Sequence, residues 1–159
     1  MPKRSKTSAG LLMFRRNGHE VELLLAHPGG PFFRRRDEGV WTIPKGEAPE
    51  GEALLSRAKI EFEEEVGIAP AREWMDIGSI KQKGDKIVHG WAFEGDLPED
   101  FIHRCNTFEM MWPPGSGKLE QFPEIDCVAF FPLEVARIKL KPAQIPFLDR
   151  LSGMLTPSY

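Results

Sequence analysis

Apolar runs of strand length open the chain. Residues 8–14 and 21–26 each carry such a run, and Asn17-Gly18 between them is typical of a two-residue hairpin turn. Residues 41–43 predict a further short strand, which leads into a turn-rich segment of prolines and glycines. We therefore expect three strands in the first third of the chain.

A second group of strands is predicted in the later chain. Residues 74–82 and 86–93 alternate between apolar and polar positions, which predicts two paired strands with a turn between them. Residues 127–131 form another apolar run of strand length. Residues 106–123, which precede that run, are rich in proline and glycine and carry aromatic side chains that look exposed.

One helical pattern stands out, over residues 51–66. Gly67 follows it directly and Pro70 lies just beyond, as is typical after a helix end. Two shorter helices are predicted at residues 133–138 and 143–151, and we expect the second to cover the sheet. The long helix has an apolar stripe that should dock on a core, formed by Leu55, Ala58, Phe62 and Val66.

An acidic cluster lies near the end of this helix. At about 100° per residue, Glu61, Glu64 and Glu65 share one face, whereas Glu63 points elsewhere. Neighbouring carboxylates repel each other, and the helix dipole disfavours negative charge at a C-terminus. A hard divalent cation such as Mg²⁺ would reverse this local energetics, because it takes carboxylate oxygens as ligands. The spacing alone leaves open a solvated acidic face or a metal site.

The composition limits the class of protein. The chain has 159 residues, of which 41% are hydrophobic and 28% charged, as expected for one globular domain over residues 1–159. A net charge of −3 gives no sign of a nucleic-acid or membrane surface. Cys105 and Cys127 have no metal-ligand spacing, so we expect reduced thiols and a cytoplasmic location.

The turn and the helix together carry a longer motif. Gly46 is followed after five residues by Glu52 and after eight more by the acidic cluster, and residues 46–68 as a whole resemble the Nudix box. We refer to residues 46–68 as the box. The box matches at Gly46, Glu52, Glu61, Phe62, Glu64, Glu65, Gly67 and Ile68. It departs from the family pattern at Ile60, where the family has an arginine.

The resemblance implies a fold and a reaction. The implied fold is an α/β (α+β) architecture, a Nudix-type α/β/α sandwich with a mixed β-sheet. The implied reaction is hydrolysis of a pyrophosphate bond in a nucleoside diphosphate linked to another group. Mg²⁺ is the implied cofactor, with Mn²⁺ as a substitute, because phosphates and clustered carboxylates repel each other unless cations lie between them.

The resemblance also assigns roles to individual residues. Glu64 and Glu65 are implied metal ligands, and the backbone carbonyl of Lys45 joins them. Glu61 is a ligand or the general base, and Glu124, which precedes the strand at 127–131, is the base or a further ligand. Gly46, Glu52 and Gly67 are implied to support the loop and the helix. Glu124 as a plain rim carboxylate is the alternative.

Other side chains are candidates for substrate binding. Arg34, Arg35 and Arg36 stand on one loop and could clamp phosphates, because guanidinium groups match phosphate oxygens; a solvated basic loop is the alternative. The side chains of Lys45 and Lys81 could reach a phosphate, or remain ordinary exposed lysines. For Trp112, stacking on a nucleobase and core packing both remain open, whereas core packing is favoured for Phe108, and His89 is expected to be structural.

Ile60 cannot orient neighbouring glutamates as an arginine would. Arg57 lies one turn before Glu61 on the glutamate face, and we hypothesise that it takes over part of that role. A surface ion pair of small energetic value is the alternative.

Two classes of function follow. The favoured class is a Mg²⁺-dependent hydrolase acting on a dinucleoside polyphosphate or a nucleoside triphosphate. Nucleotide sugars and inositol pyrophosphates fit less well, and RNA decapping is weakened by the acidic charge balance. The other class is a catalytically inactive module that binds a nucleotide, which Ile60 alone favours. The expected partner is a small nucleotide, with no membrane or nucleic acid, and a homodimer remains open.

Overall fold

The computed structural model describes residues 6–70 and 73–155. Its strands are β1 Thr7–Asn17, β2 Glu20–Pro28, β3 Lys45–Glu47, β4 Met75–Gln82, β5 Lys86–Glu94, β6 Thr107–Met111, β7 Leu119–Pro123 and β8 Ile125–Pro132. Its α-helices are α1 Leu54–Val66, α2 Leu133–Lys139 and α3 Ile145–Leu155, and a 3₁₀ turn, Pro142–Gln144, directly precedes α3. None of the described helices is long and apolar enough to cross a membrane.

The main sheet is mixed and divides beside β1. Its order is β4-β5-β1-β2-β8, with β3 also paired to β1. β1 runs parallel to β5, and the other pairs are antiparallel. Residues 14–17 of β1 pair with β2, whereas residues 8–10 pair with β3. β2 therefore leaves β1 where β3 begins, and the first residues of the box occupy this division.

Two hydrophobic layers confirm the predicted α/β/α sandwich. Alternate side chains of β1 point to opposite faces of the sheet, as they must in a strand. Ala9, Leu11 and Met13 pack with the buried stripe of α1. Leu12 and Phe14 belong to the second layer, which contains Phe147, Leu148 and Leu151 of α3. The C-terminal helix covers the sheet as expected, on the face opposite α1.

The prediction of a short strand at residues 41–43 is wrong. Trp41 and Thr42 form only isolated bridges, and the regular strand lies on Lys45–Glu47 instead. Two features prevent a strand at the earlier position. The backbone N–H of Ile43 donates to the side chain of Gln144 at 3.0 Å, and Pro44 has no N–H to offer a neighbouring strand.

Glycines with positive φ lie near both ends of the long helix. α1 begins at Leu54 and not at residue 51, because Gly51 has a φ of 83°, outside the helical region. Its end is confirmed: Gly67 adopts a left-handed conformation, and its N–H donates to the carbonyl of Glu63 at 2.9 Å. The last helix begins later than predicted, since the 3₁₀ turn occupies residues 142–144.

A hairpin that the sequence pattern did not predict lies between β5 and β8. β6 and β7 form a separate two-stranded sheet in which Phe108 is opposite Phe122. The ring of Phe108 also lies against Gly30, where an added Cβ would come within 2.9 Å of it. The hairpin therefore packs on the loop that follows β2, and the predicted core role of Phe108 agrees with this contact.

Candidate functional site

The box glycine determines where the acidic helix rests on the sheet. Gly46 lies on β3 opposite Ala9 of β1, and α1 crosses it on the same face. A Cβ at Gly46 would overlap the carboxyl group of Glu61. Only glycine therefore allows Glu61 to lie directly against the backbone of β3.

Glu65 is held by the residue before that glycine. Its Oε2 accepts the backbone N–H of Lys45 at 2.7 Å. Burial raises the pKa of Glu65 to about 8, although the Lys45 amide and the Lys45 charge oppose this shift. The negative charges of Glu61 and Glu124 raise the pKa further. The effect of Glu124 on this pKa indicates that the two carboxylates lie within electrostatic range of each other.

Arg57 joins two glutamates of the box. Its Nε donates to Glu52 Oε1 at 3.0 Å and its Nη2 to Glu52 Oε2 at 2.9 Å, which is a bidentate pair. Its Nη1 donates to Glu61 Oε1 at 3.2 Å. Ile60 is 41% exposed and offers no donor. Arg57 therefore makes the contact with Glu61 that we expected of it, and its effect on catalysis remains a prediction.

The net effect of its surroundings is to raise the pKa of Glu61 despite this contact. Burial raises the pKa of Glu61, the hydrogen bond from Arg57 lowers it, and the charge of Glu64 raises it again. Glu64 itself is exposed next to this pair. The three helix carboxylates predicted to act together are therefore neighbours, with Glu64 open to solvent and the other two partly enclosed.

The loop before β6 supports the end of α1, a contact that the sequence pattern did not reveal. His103 Nε2 lies 2.7 Å from the carbonyl oxygen of Glu65 and can donate to it. The loop also passes closely by Gly67, where an added Cβ would be 3.0 Å from the carbonyl oxygen of Arg104. No local pattern marks His103, because it is separated from Glu65 by 38 residues.

The donor chemistry of the site fits a hard divalent cation. Four carboxylates, Glu61, Glu64, Glu65 and Glu124, act on one another, and those of Glu61 and Glu65 have raised pKa values. As the side chains lie, the described residues contain no group of three or more His, Cys, Asp or Glu residues that could hold a metal ion. Glu61 is instead turned to Arg57, and Glu65 to the amide of Lys45. Each of these bonds uses one oxygen of its carboxylate, Oε1 of Glu61 and Oε2 of Glu65, so the other oxygen remains able to bind an ion.

The other predicted substrate contacts are spread around this centre. Arg34, Arg35 and Arg36 are exposed on the loop after β2, and each lacks an ion pair among the described residues. The backbone N–H of Gly29 at the start of this loop donates to the carbonyl of Glu124 at 2.9 Å. The loop therefore starts beside Glu124, but its arginine side chains do not reach the glutamates.

Lys81 and Trp112 lie in different surroundings. Lys81 is exposed on β4, and its neighbour Gln82 faces the 3₁₀ turn, so alternation turns Lys81 to the face of α1. Trp112 is half-buried, with its ring edge-on to Phe32 at a centroid distance of 5.6 Å. Phe32 is 61% exposed, which adds an aromatic face that the sequence pattern did not single out.

Gln144 is a second residue that sequence reasoning missed. Its fully buried side chain accepts from the N–H of Ile43 at 3.0 Å and donates to the hydroxyl of Thr42 at 2.9 Å. It also donates to the side chain of Gln82 at 3.0 Å. These bonds fix the segment that enters the box against β4 and the C-terminal region.

Comparisons with known proteins agree with this geometry. A model of the NUDIX domain matches residues 4–151 of the chain. No curated protein matches it in sequence.

Solved structures of similar fold are related only distantly in sequence. An Ap4A hydrolase of C. elegans, solved as a binary complex, is 21% identical, with a TM-score of 0.67 over 93% of this chain and 97% of its own. The NUDIX domain of Shewanella oneidensis NrtR, solved with ADP ribose, is 15% identical, with a TM-score of 0.65 over 97% and 90%. A MutT protein of Methanosarcina mazei Go1 is 18% identical, with a TM-score of 0.63 over 99% of both chains. At these identities the structures support the fold.

The family match covers nearly the whole chain and includes the box, whose carboxylates the structure brings together. Members of this family generally use divalent cations. The chain belongs to the NUDIX domain family and is a Nudix-type pyrophosphohydrolase.

Proposed function

We propose that this chain is a Mg²⁺-dependent hydrolase that cleaves a pyrophosphate bond in a dinucleoside polyphosphate or a nucleoside triphosphate. The observation that carries the proposal is the enclosed carboxylate pair on α1, in which Glu61 lies against Gly46 and Glu65 is bonded to the Lys45 amide. The two nucleotide-related neighbours, an Ap4A hydrolase and a domain solved with ADP ribose, are consistent with a small nucleotide ligand.

The residues that would hold the metal are Glu61, Glu64 and Glu65, together with the carbonyl of Lys45 and, as a further ligand, Glu124. A divalent cation bound there would neutralise phosphate oxygens and lower the pKa of a bound water. The carboxylate of Glu61 or Glu124 would accept the proton of the attacking water, and burial suits Glu61 to this task because it raises its pKa.

Arg57 would act as a positioning residue. Its bidentate bond to Glu52 fixes the guanidinium group, and the remaining Nη1 then holds Glu61 against β3. The side chains of Phe32 and Trp112 would offer aromatic surface to a base of the substrate, as stacking contacts of this kind contribute about 1–3 kcal/mol. Arg34, Arg35 and Arg36 would meet phosphates only at the rim of the site.

A substrate panel with Mg²⁺ at pH 7–8.5 tests the proposal, with products identified by mass spectrometry. The panel holds nucleoside triphosphates, oxidised nucleotides, diadenosine polyphosphates, ADP-ribose, nucleotide sugars and inositol pyrophosphates. We expect turnover of a polyphosphate substrate and a loss of at least about 100-fold in Glu64→Gln and Glu65→Gln, because each removes a charged ligand.

The matched control is Glu63→Gln, which removes an exposed carboxylate from the same helix but from a different face. We expect its turnover to equal that of the wild type. Hydrolysis that survives in the Glu64 and Glu65 variants would refute the assigned ligands. Tight binding of a nucleotide without any product would instead indicate a module that binds and does not cleave.

A further inference from the structure

Three lysines from distant parts of the chain meet on the sheet face opposite α1. Lys45 pairs with Gly10, which precedes Leu12 by two residues and so shares its face. Lys86 likewise precedes Val88 of the same core layer by two residues. Lys141 comes from the segment before the 3₁₀ turn, and its N–H donates to the carbonyl of Trp41 at 2.8 Å. We call these three residues the lysine cluster.

Backbone and side-chain contacts hold the cluster together. Lys86 is opposite Gln82 in the β4–β5 ladder, and the side chain of Gln82 accepts from Gln144 at 3.0 Å. Gln144 also binds the backbone of Ile43, two residues before Lys45. The same buried glutamine therefore ties together the three chain segments that carry the lysines.

No ion pair among the described residues neutralises the positive charge of the cluster. Lys45, Lys86 and Lys141 form no ion pair with any carboxylate within the described ranges. Lys141 is half-buried, and its pKa is lowered by burial and by the charges of Lys45 and Lys86. A protein gains no stability from such an arrangement, because each like charge opposes the others.

Lys45 connects the cluster to the carboxylates. Its backbone N–H donates to Glu65 Oε2 at 2.7 Å, on the side of α1. Its side chain begins on the opposite face, where a Cβ added at Gly10 would lie 2.9 Å from Lys45 Cβ. Among the described strands β3 pairs only with β1, so an anion that begins at the carboxylate site could continue round the other edge of β3 towards Lys86 and Lys141. A chain of several phosphates has the required length and charge, and lysine ammonium groups are suitable point charges for it.

We propose that the lysine cluster binds the phosphates that extend beyond the scissile bond, and so selects substrates with three or more linked phosphates over those with two. This inference rests on the proposed function, because it assigns the distal end of that substrate. It adds Lys86 and Lys141, neither of which belongs to the box, as specificity-determining residues.

Inorganic tripolyphosphate binding to the metal-free protein tests the cluster without using hydrolysis. Isothermal titration calorimetry in EDTA should detect binding to the wild type. We expect about tenfold weaker binding for each of Lys86→Gln and Lys141→Gln, because each removes one charge-assisted contact. The control is Lys83→Gln, an exposed lysine in the β4–β5 turn, which should bind as the wild type does.

Lys141→Arg and thermal unfolding separate binding from folding. The arginine variant keeps the charge and should keep most of the tripolyphosphate affinity. Lys141→Gln removes a half-buried charge that repels its neighbours, so its melting temperature in EDTA should equal or exceed that of the wild type. If Lys141→Gln loses tripolyphosphate binding while its melting temperature is not lowered, the loss reports on the anion site and not on folding.

The kinetic counterpart is the ratio of KM values for a polyphosphate substrate and for ADP-ribose, which has two phosphates. Lys86→Gln/Lys141→Gln should raise KM for the polyphosphate about 100-fold, with little change in KM for ADP-ribose. The inference is overturned if the wild type does not bind tripolyphosphate or if the double variant binds it unchanged. Tripolyphosphate binding that depends on both lysines, without hydrolysis of any substrate, would refute the proposed function and leave the anion site in place.

Discussion

The carboxylate face of α1 and the lysine cluster are two charged regions built in opposite ways. The carboxylates come from one short stretch of helix, and Glu61 and Glu65 each have a hydrogen-bond partner, Arg57 and the Lys45 amide. The lysines come from β3, β5 and the segment before α3, and they have no ion pair among the described residues.

This difference shows which charges the fold itself satisfies. Clustered acids at a helix end are unfavourable alone, but Arg57 and the backbone of β3 compensate part of that repulsion. The three lysines form no ion pair among the described residues that would offset their mutual repulsion. We infer that the first region is prepared for a small cation and the second for a larger anion.

The largest effect is expected from Gly46→Ala, which should disturb the carboxylate face of α1 and leave the lysine cluster intact. In Gly46→Ala the new methyl group would overlap the carboxyl group of Glu61, so Glu61 must leave its place against β3. We expect hydrolysis to fall by at least about 100-fold, because misplacement of a catalytic group by about 1 Å costs that much. Overpacking should also lower the free energy of unfolding by about 1–3 kcal/mol. Steady-state kinetics and urea unfolding measure the two effects.

Gly153→Ala is the matched control, because an added Cβ there meets no atom within 4 Å. Tripolyphosphate binding in EDTA should survive in Gly46→Ala, since the lysine cluster lies on the other face of the sheet. Unchanged hydrolysis in Gly46→Ala would show that Glu61 does not need its observed position.

A smaller effect is expected from removing the arginine that joins Glu52 and Glu61. Arg57→Ala should weaken Mg²⁺ activation or turnover by about 10- to 100-fold, as is usual when a group that orients a metal ligand is removed. Arg57→Lys cannot restore the bidentate bond to Glu52 and should recover activity only in part. The measurement is the Mg²⁺ dependence of kcat and of kcat/KM.

Ile60→Arg in the Arg57→Ala background tests whether the two positions share a role. Partial rescue is expected, because residue 60 is where the family pattern has its arginine. If Arg57→Ala leaves both turnover and Mg²⁺ dependence unchanged, Arg57 is an ordinary ion pair.

A change of one pH unit should have the smallest effect, and it sharpens the comparison. The pKa of Glu65 is raised from 4.5 to about 8, so between these values the folded protein retains a proton that the unfolded chain has lost. Stability of the metal-free protein should therefore fall as pH rises through this window, by at most about 1.4 kcal/mol per pH unit from this group. Above the folded value this contribution becomes constant. Urea unfolding in EDTA at several pH values measures it, and Glu65→Gln should remove it.

Lys141 should change the pH dependence of stability in the opposite direction. Its pKa in the folded protein is lowered from 10.5, so in alkaline solution the unfolded chain retains a proton that the folded protein has released. Its contribution to stability should therefore rise with pH in the range just below 10.5, and Lys141→Gln should abolish that rise. Equal pH dependence in wild type and variant, for either group, would mean that its charge is not suppressed by the fold.

Local patterns were sufficient to predict α1, its end at Gly67 and the carboxylate face, because these features depend on helix periodicity and on one glycine. The family resemblance came from the same contiguous stretch. Short segments were predicted less well. The strand expected at residues 41–43 was displaced to Lys45–Glu47, since Gln144, about 100 residues later, takes the N–H of Ile43. The hairpin of β6 and β7 was missed, because its strands are short and mostly exposed and so carry little apolar alternation. Its contact with the distant Gly30, through Phe108, has no local signal.

The sequence by itself thus determined the family, the acidic helix and the chemistry that its carboxylates could perform. Only the tertiary structure decided which groups control those carboxylates: Gly46 beneath Glu61, the Lys45 amide on Glu65, and His103 at the helix end. It alone brought Lys141 and Lys86 to Lys45. The physical reason is that helix periodicity acts over a few residues, whereas charges and hydrogen bonds act through space between segments that are far apart along the chain.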